Sequence, residues 1–174
     1  TILLSSNEGW GLALTESLVT GTPIIANVTG GMQDQMRFSI NDKWVDFTPD
    51  FPSNHRGTIK EHGKWAFPVY PSNRSLAGSI PTPYIFDDRC TPEAAADVIE
   101  EVYKLSKQER LSCGEAGYKW ATGSEANFTA EKMSNRVIEV LDKGFANFKP
   151  RKSFEFFKIK DIEAKYIEHK LTGY

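Results

Sequence analysis

Two glutamates, Glu8 and Glu16, stand with seven residues between them in the stretch NEGWGLALTESLVTGTPII, residues 7–25. Glu8 shares a turn with Gly9 and Gly11, and Glu16 falls about one turn inside a run with helical spacing. A glycine turn that enters a helix presents unpaired backbone N–H groups at the positive end of the helix dipole, a ready site for phosphate. Glycine there lets a ligand approach the backbone with no Cβ in the way. Carboxylates accept well from vicinal hydroxyls, as on a sugar or a ribose. One acid before the amides and one after them therefore suit a ligand that offers hydroxyls, phosphates and hydroxyls in turn, which describes a nucleotide-diphosphate sugar. The plain alternative is that Glu8 only favours the helix N-terminus electrostatically and Glu16 is an exposed helix position. The pair alone leaves both readings open.

The flanking elements decide where the pair sits. Ile2-Leu3-Leu4 is a continuous apolar run, suited to a strand buried on both faces of a parallel sheet. From Leu12 the period becomes helical, with Leu12, Thr15/Glu16 and Val19 as the stripe and Leu14 and Leu18 beside it. Gly21-Thr22-Pro23 stops that helix. Ile24-Ile25-Ala26 reads as a second buried strand, Gly30-Gly31 as a second glycine turn, and Met32 as the opening of another helix. The first 36 residues thus spell a βαβα unit with a right-handed crossover, a Rossmann-like α/β pattern. In such sheets ligands bind at the carboxyl ends of the strands, where both glycine turns fall.

Residues 37–89 break the pattern. They are rich in Pro, Gly, Asn, Ser and aromatics, and read as an ordered insertion over one end of the sheet, with short strands expected at 66–70 and 84–86. Asp87-Asp88 reads as a solvated or capping pair in a loop there. Helical signals return with Thr91 as N-cap, Pro92 at the first helical position and a buried stripe of Ala95, Val98, Ile99, Val102 and Leu105. Ser106 with Glu109 fits a capping box for the next helix, which runs toward Trp120. A last helix carries Phe128, Met133, Val137, Ile138 and Leu141 and stops near Gly144. The tail, residues 149–174, has seven Lys/Arg against four Asp/Glu and is rich in Phe, Ile and Tyr, which suits docking on a partner.

Composition bounds the rest. With 174 residues the chain is long enough for one domain with a real core. A formal net charge of −2 gives no basic field for nucleic acid. No apolar run reaches the roughly 18–20 residues of a membrane span, and no secretory signal opens the chain. Cys90 and Cys113 lack metal or CxxC spacing and fit incidental thiols in a reduced, cytoplasmic protein; the three histidines do not fall at metal-ligand spacing.

Glu8-Gly-Trp-Gly-Leu-Ala-Leu-Thr-Glu16, followed by Gly21-Thr-Pro-Ile-Ile and Thr29-Gly30-Gly31, resembles the E-x7-E signature of retaining glycosyltransferases of the GT-B fold. Thr29-Gly30-Gly31-Met32 with Asp34 is also similar to the TGGL-x-D stretch of glycogen and starch synthases. The strong match covers residues 1–36. The resemblance implies that Glu8 contacts hydroxyls of the donor sugar and is the catalytic candidate. The amides about Gly9, Trp10, Gly11 and Leu12 would hold the donor's sugar and phosphates, and Glu16 would accept from ribose hydroxyls. Gly30 and Gly31 either let their loop pass close to the site or simply make a tight turn. Trp10's side chain is expected to serve packing. No metal and no cofactor are implied beyond the nucleotide-sugar donor.

The same resemblance makes residues 1–148 part of a C-terminal donor-binding domain. The phosphate-binding Arg and Lys would then precede Thr1 in this same C-terminal domain, most of the acceptor site would lie in a separate N-terminal domain of the same polypeptide, and the chain alone would be inactive. The tail would dock on that domain, with a membrane surface as the second candidate. A hydroxyl acceptor such as a carbohydrate completes the expected partners. Two other functions fit the residues: a GT-B nucleotide-sugar epimerase or hydrolase, and a non-catalytic binding or assembly module.

Overall fold

The computed structural model describes residues 1–151, without the side chains of Thr82 and Pro83. The order of elements is β1 (Ile2–Leu3), α1 (Leu12–Val19), β2 (Ile24–Asn27), α2 (Met32–Met36), β3 (Ser39–Ile40), β4 (Lys43–Trp44), β5 (Ala66–Val69), β6 (Asn73–Ser79), β7 (Thr82–Arg89), α3 (Pro92–Lys104), α4 (Lys107–Thr122) and α5 (Ala130–Asn147). The protein is α/β. A three-stranded sheet in the order β1-β2-β5 is parallel throughout, with Ile2 opposite Ile25 and Ile24 opposite Ala66.

The strand period of two sends alternate side chains into separate cores. Ile24, Ala26 and Ala66 join Leu14, Leu18, Met32, Met36, Phe38 and Trp65 on the face covered by α1, α2 and α4. Ile25, Phe67 and Val69 point the other way, against Ala94, Val98, Val102 and Leu105 of α3 and its end. Helices on both faces are the usual condition for a parallel sheet, since its strands carry no polar face.

The expected strands and helices of residues 1–36 are present, with two corrections. Ile2 is 49% exposed, because β1 is an edge strand among the described residues rather than a strand covered on both faces. The buried side of α1 is Leu14, Ser17 and Leu18, while Leu12 and Glu16 face outward. Ser17 can turn inward because its hydroxyl donates to the Ala13 carbonyl at 2.7 Å, so the helix's own backbone satisfies it. Leu18 meets α4 where a Cβ on Gly117 would lie 2.8 Å from its Cδ2.

The stretch 37–89 is not one insertion. β5 lies within it and is a strand of the central sheet. β5 is the strand expected at 66–70 and β7 takes in the one expected at 84–86; Pro68 is tolerated because β5 is an edge strand among the described residues. Two excursions flank it. Before β5, residues 37–63 wrap α2, held by the buried Asn54, whose side chain pairs both ways with the Ile59 backbone at 2.8 and 3.0 Å. After β5, β6 and β7 form a separate antiparallel hairpin that pairs Leu76 with Phe86.

Downstream, Thr91 caps α3 and the Ser106–Glu109 capping box opens α4. In α3 only Ala95 is fully buried; Val98, Val102 and Leu105 are half-buried and Ile99 is 41% exposed. The last helix differs from expectation at both ends. Phe128 precedes it, and it runs through Gly144 to Asn147. The chain divides into two units, residues 1–133 and 134–174. The described part of the second is the body of α5, an amphipathic helix with Val137, Ile138, Leu141 and Phe145 on its surface. The expected docking segment within residues 152–174 lies outside the described residues. No described helix is long and apolar enough to cross a membrane.

Candidate functional site

Three loops leave the carboxyl ends of the three parallel strands: residues 4–11 after β1, 28–31 after β2 and 70–72 after β5. Such an edge is where open α/β sheets place their ligands. β2 is central, so its Thr29-Gly30-Gly31 turn lies between the other two.

The two glycine turns are in backbone contact. The Gly31 amide donates to the Glu8 carbonyl at 3.1 Å. A Cβ on Gly30 would lie 2.0 Å from the Glu8 carbonyl oxygen, and one on Gly31 would lie 2.2 Å from that of Gly9. Gly30 also has φ +45°, a conformation most side chains disfavour. Gly30 and Gly31 therefore do more than reverse the chain: they let the second turn press against the first.

Gly11 is the N-cap of α1 in the left-handed conformation, φ +80°, and offers no capping side chain. Among the described residues the backbone N–H groups of Gly9, Trp10, Gly11, Leu12 and Ala13 have no hydrogen-bond acceptor. Gly9 and Leu12 are exposed, and no atom lies within 4 Å of where a Gly9 Cβ would be. The turn thus keeps a run of open donors at the positive end of a helix.

Glu8 is half-buried in this turn, and Glu16 is exposed one helical turn beyond it. Neither carboxylate has an ion-pair or hydrogen-bond partner among the described residues. The Trp10 side chain points inward. Its indole donates to Thr15 at 2.8 Å, and its ring meets Phe128 edge-on at 5.6 Å.

The residue that fixes this turn is Gln35, which the sequence reading missed. Fully buried, it donates to the Trp10 carbonyl at 2.6 Å and accepts from the Thr15 hydroxyl at 2.8 Å. Its backbone carbonyl takes the Trp65 indole at 2.9 Å. A signal was present: Gln35 occupies an inward position of a helix bounded by Met32 and Met36, where a polar residue needs a partner.

Asp87 and Asp88 correct a second expectation. They are buried on β7 rather than solvated in a loop. Asp88 accepts from the Thr29 hydroxyl at 2.8 Å and pairs with Arg74 at 3.3 Å. Its backbone amide donates to Ser6 and its carbonyl accepts from Asn27, both at the strand ends. The Asp87 carboxyl is held below the usual carboxylate range by the Ser6 hydroxyl and then by Arg89. These bonds tie the β6–β7 hairpin to the loops after β1 and β2.

No described group of three His, Cys, Asp or Glu side chains is placed to hold a metal ion. Both cysteines are free, and burial, followed by Glu109, pushes the Cys113 thiol up, away from a reactive thiolate. Two grooves, of about 390 Å³ beside β6 and about 780 Å³ along the β1 edge, are lined by neither Glu8 nor Glu16.

A scan against protein-family models, a search of curated proteins and a search of solved structures each return no match to this chain.

Proposed function

We propose that the chain is the donor-binding part of a retaining glycosyltransferase of the GT-B type. The enzyme would move a sugar from a nucleotide-diphosphate donor to a hydroxyl acceptor in a cytoplasmic setting. The observation that carries this is the interlocking of the Glu8 turn with the Gly30-Gly31 turn at the carboxyl ends of parallel strands. That contact holds Glu8 and the open amides of residues 9–13 in one fixed arrangement beside Glu16.

In this reading the open amides take the donor's diphosphate, and the helix dipole steadies the negative charge that develops as the sugar leaves. Glu8 accepts from sugar hydroxyls and Glu16 from the ribose. The remaining cations would come from elsewhere in the same donor-binding domain, and the acceptor's wall of the cleft from an N-terminal domain of the same polypeptide.

Calorimetric titration of the chain with UDP-, GDP- and ADP-sugars tests the donor site. Saturable binding of one of them, weakened about tenfold by Glu16→Gln, is the expected result. Absence of binding to all three, by both this chain and its two-domain parent, would overturn the reading. In that parent, Glu8→Ala removes most turnover while Glu16→Ala mainly raises KM. Product analysis with donor alone separates transfer from hydrolysis or epimerisation.

A further inference from the structure

The groove beside β6 is built entirely by the excursions on either side of β5. His55, Arg56, Ser72, Asn73, Arg74 and Phe86 line its volume of about 390 Å³, and no acid does. That volume suits one sugar-sized ligand.

Its principal cation is held in place. The Arg74 guanidinium lies 4.1 Å over the Phe86 ring, and its Nη1 is 2.9 Å from His55 Nδ1. Its Nε stands 3.3 Å from Asp88 Oδ1 but off the line of a hydrogen bond. Asp88 is the carboxylate paired with Arg74, while Arg56, on the same lining, has no ion-pair partner among the described residues. The His55 imidazole stands against Arg74 and precedes Arg56 in the chain. Burial, then the Arg74 charge, holds the His55 pKa below its ordinary range, with Arg56 adding to the effect and Asp88 opposing it.

The groove also belongs to the candidate site's edge of the sheet. Ser72 and Asn73 follow the carboxyl end of β5, and the Phe86 carbonyl accepts from Asn7, the neighbour of Glu8, at 3.0 Å. Asp88, beneath Arg74, accepts from Thr29 of the central turn.

We infer that this groove is a binding site for an oxyanion, a phosphate ester or a carboxylate carried on a sugar-sized molecule, with Arg56 and Arg74 as its cationic contacts. Planar guanidinium groups match such oxyanions in geometry as well as charge. The ligand's role as a charged acceptor rests on the glycosyltransferase reading; the anion site does not.

The test is calorimetric titration of the full chain with inorganic phosphate, glucuronate and uncharged glucose, repeated for Arg56→Gln. Arg56 is exposed and unpaired among the described residues, so its replacement leaves the fold intact, which thermal denaturation checks. Saturable binding of phosphate or glucuronate, roughly tenfold weaker in Arg56→Gln, supports the site. Which of the two binds tells a phosphate ester from a carboxylate. Equal affinity in Arg56→Gln overturns the proposal, since it would place the anion elsewhere, as at the Glu8 turn. So does glucose binding as tightly as glucuronate in the absence of phosphate binding, or no saturable binding of any of the three. Loss of nucleotide-sugar binding with phosphate binding retained would sink the transferase reading and leave the anion site standing.

Discussion

The loops after β1 and β2 and the hairpin after β5 meet at one edge of the sheet, yet they are held there by different physics. The two glycine turns touch backbone to backbone, at spacings no side chain can enter. Beside one backbone bond from Asp88 to Ser6, the hairpin is fastened by side chains: Asn7, Asn27 and Thr29 on the sheet side, Asp88 and Arg74 on its own. A steric contact is all-or-nothing and indifferent to pH and salt. A polar fastening can be loosened by degrees, and it answers to protons and ions. The first suits a surface that must hold a ligand's phosphates in one geometry. The second suits a wall that adjusts to what enters.

The sharpest way to break the contrast is Gly30→Ala. The added methyl would meet the Glu8 carbonyl at 2.0 Å with φ at +45°, so one turn must move. A loss of about 3 kcal/mol or more in urea denaturation is expected. Gly9→Ala, at the residue after Glu8 in the partner turn, meets nothing within 4 Å and should change stability by less than about 0.5 kcal/mol. Equal losses in the two variants would show that the turns are not in contact.

On the hairpin side, Asp88→Ala removes the acceptor of Thr29 and the counter-charge of Arg74. Because Arg74 keeps 25% side-chain exposure, the cost is smaller than for a fully buried pair, about 2 kcal/mol. Hydrogen exchange should localise the change: amides of β6 and β7 lose protection while those of β2 keep it. A uniform loss across the sheet would mean that the hairpin is not a separately fastened unit.

The smallest effect is that of pH. His55 takes up a proton less readily folded than unfolded, because burial and then Arg74 disfavour its cation. Below about pH 6.5 the unfolded chain therefore binds a proton that the folded chain refuses, and stability falls as pH drops. His55→Gln should flatten this part of the profile between about pH 7 and pH 5.5, as read from denaturation midpoints. An unchanged slope in the variant would remove His55 from the fastening.

The contrast also explains what was legible in the sequence. β2, α1 and both glycine turns announce themselves through apolar runs, a change of period and paired glycines, all local signals. So do Thr91 and the Ser106–Glu109 box, which cap the helices they were expected to cap. What failed to show is set by distant partners. Asp88 reads as solvated because Thr29 and Arg74, its partners, are 59 residues upstream and on the opposite strand of the hairpin. Gln35 is the plainest case, since its four hydrogen-bond partners lie on two other segments.

The aromatic residues behind the Glu8 turn carry an optical consequence. Trp65 and Trp120 stack at 5.0 Å with their planes 17° apart, Phe128 meets Trp120 edge-on at 5.5 Å, and Trp10 meets Phe128 edge-on at 5.6 Å. Three of the chain's four tryptophans thus form one connected chromophore group, and Trp44 stands on β4. Excitation shared between the stacked indoles makes near-ultraviolet circular dichroism and fluorescence report on this single neighbourhood. Because Trp10 is itself a residue of the turn, the molecule carries its own lamp at the place where a donor would settle.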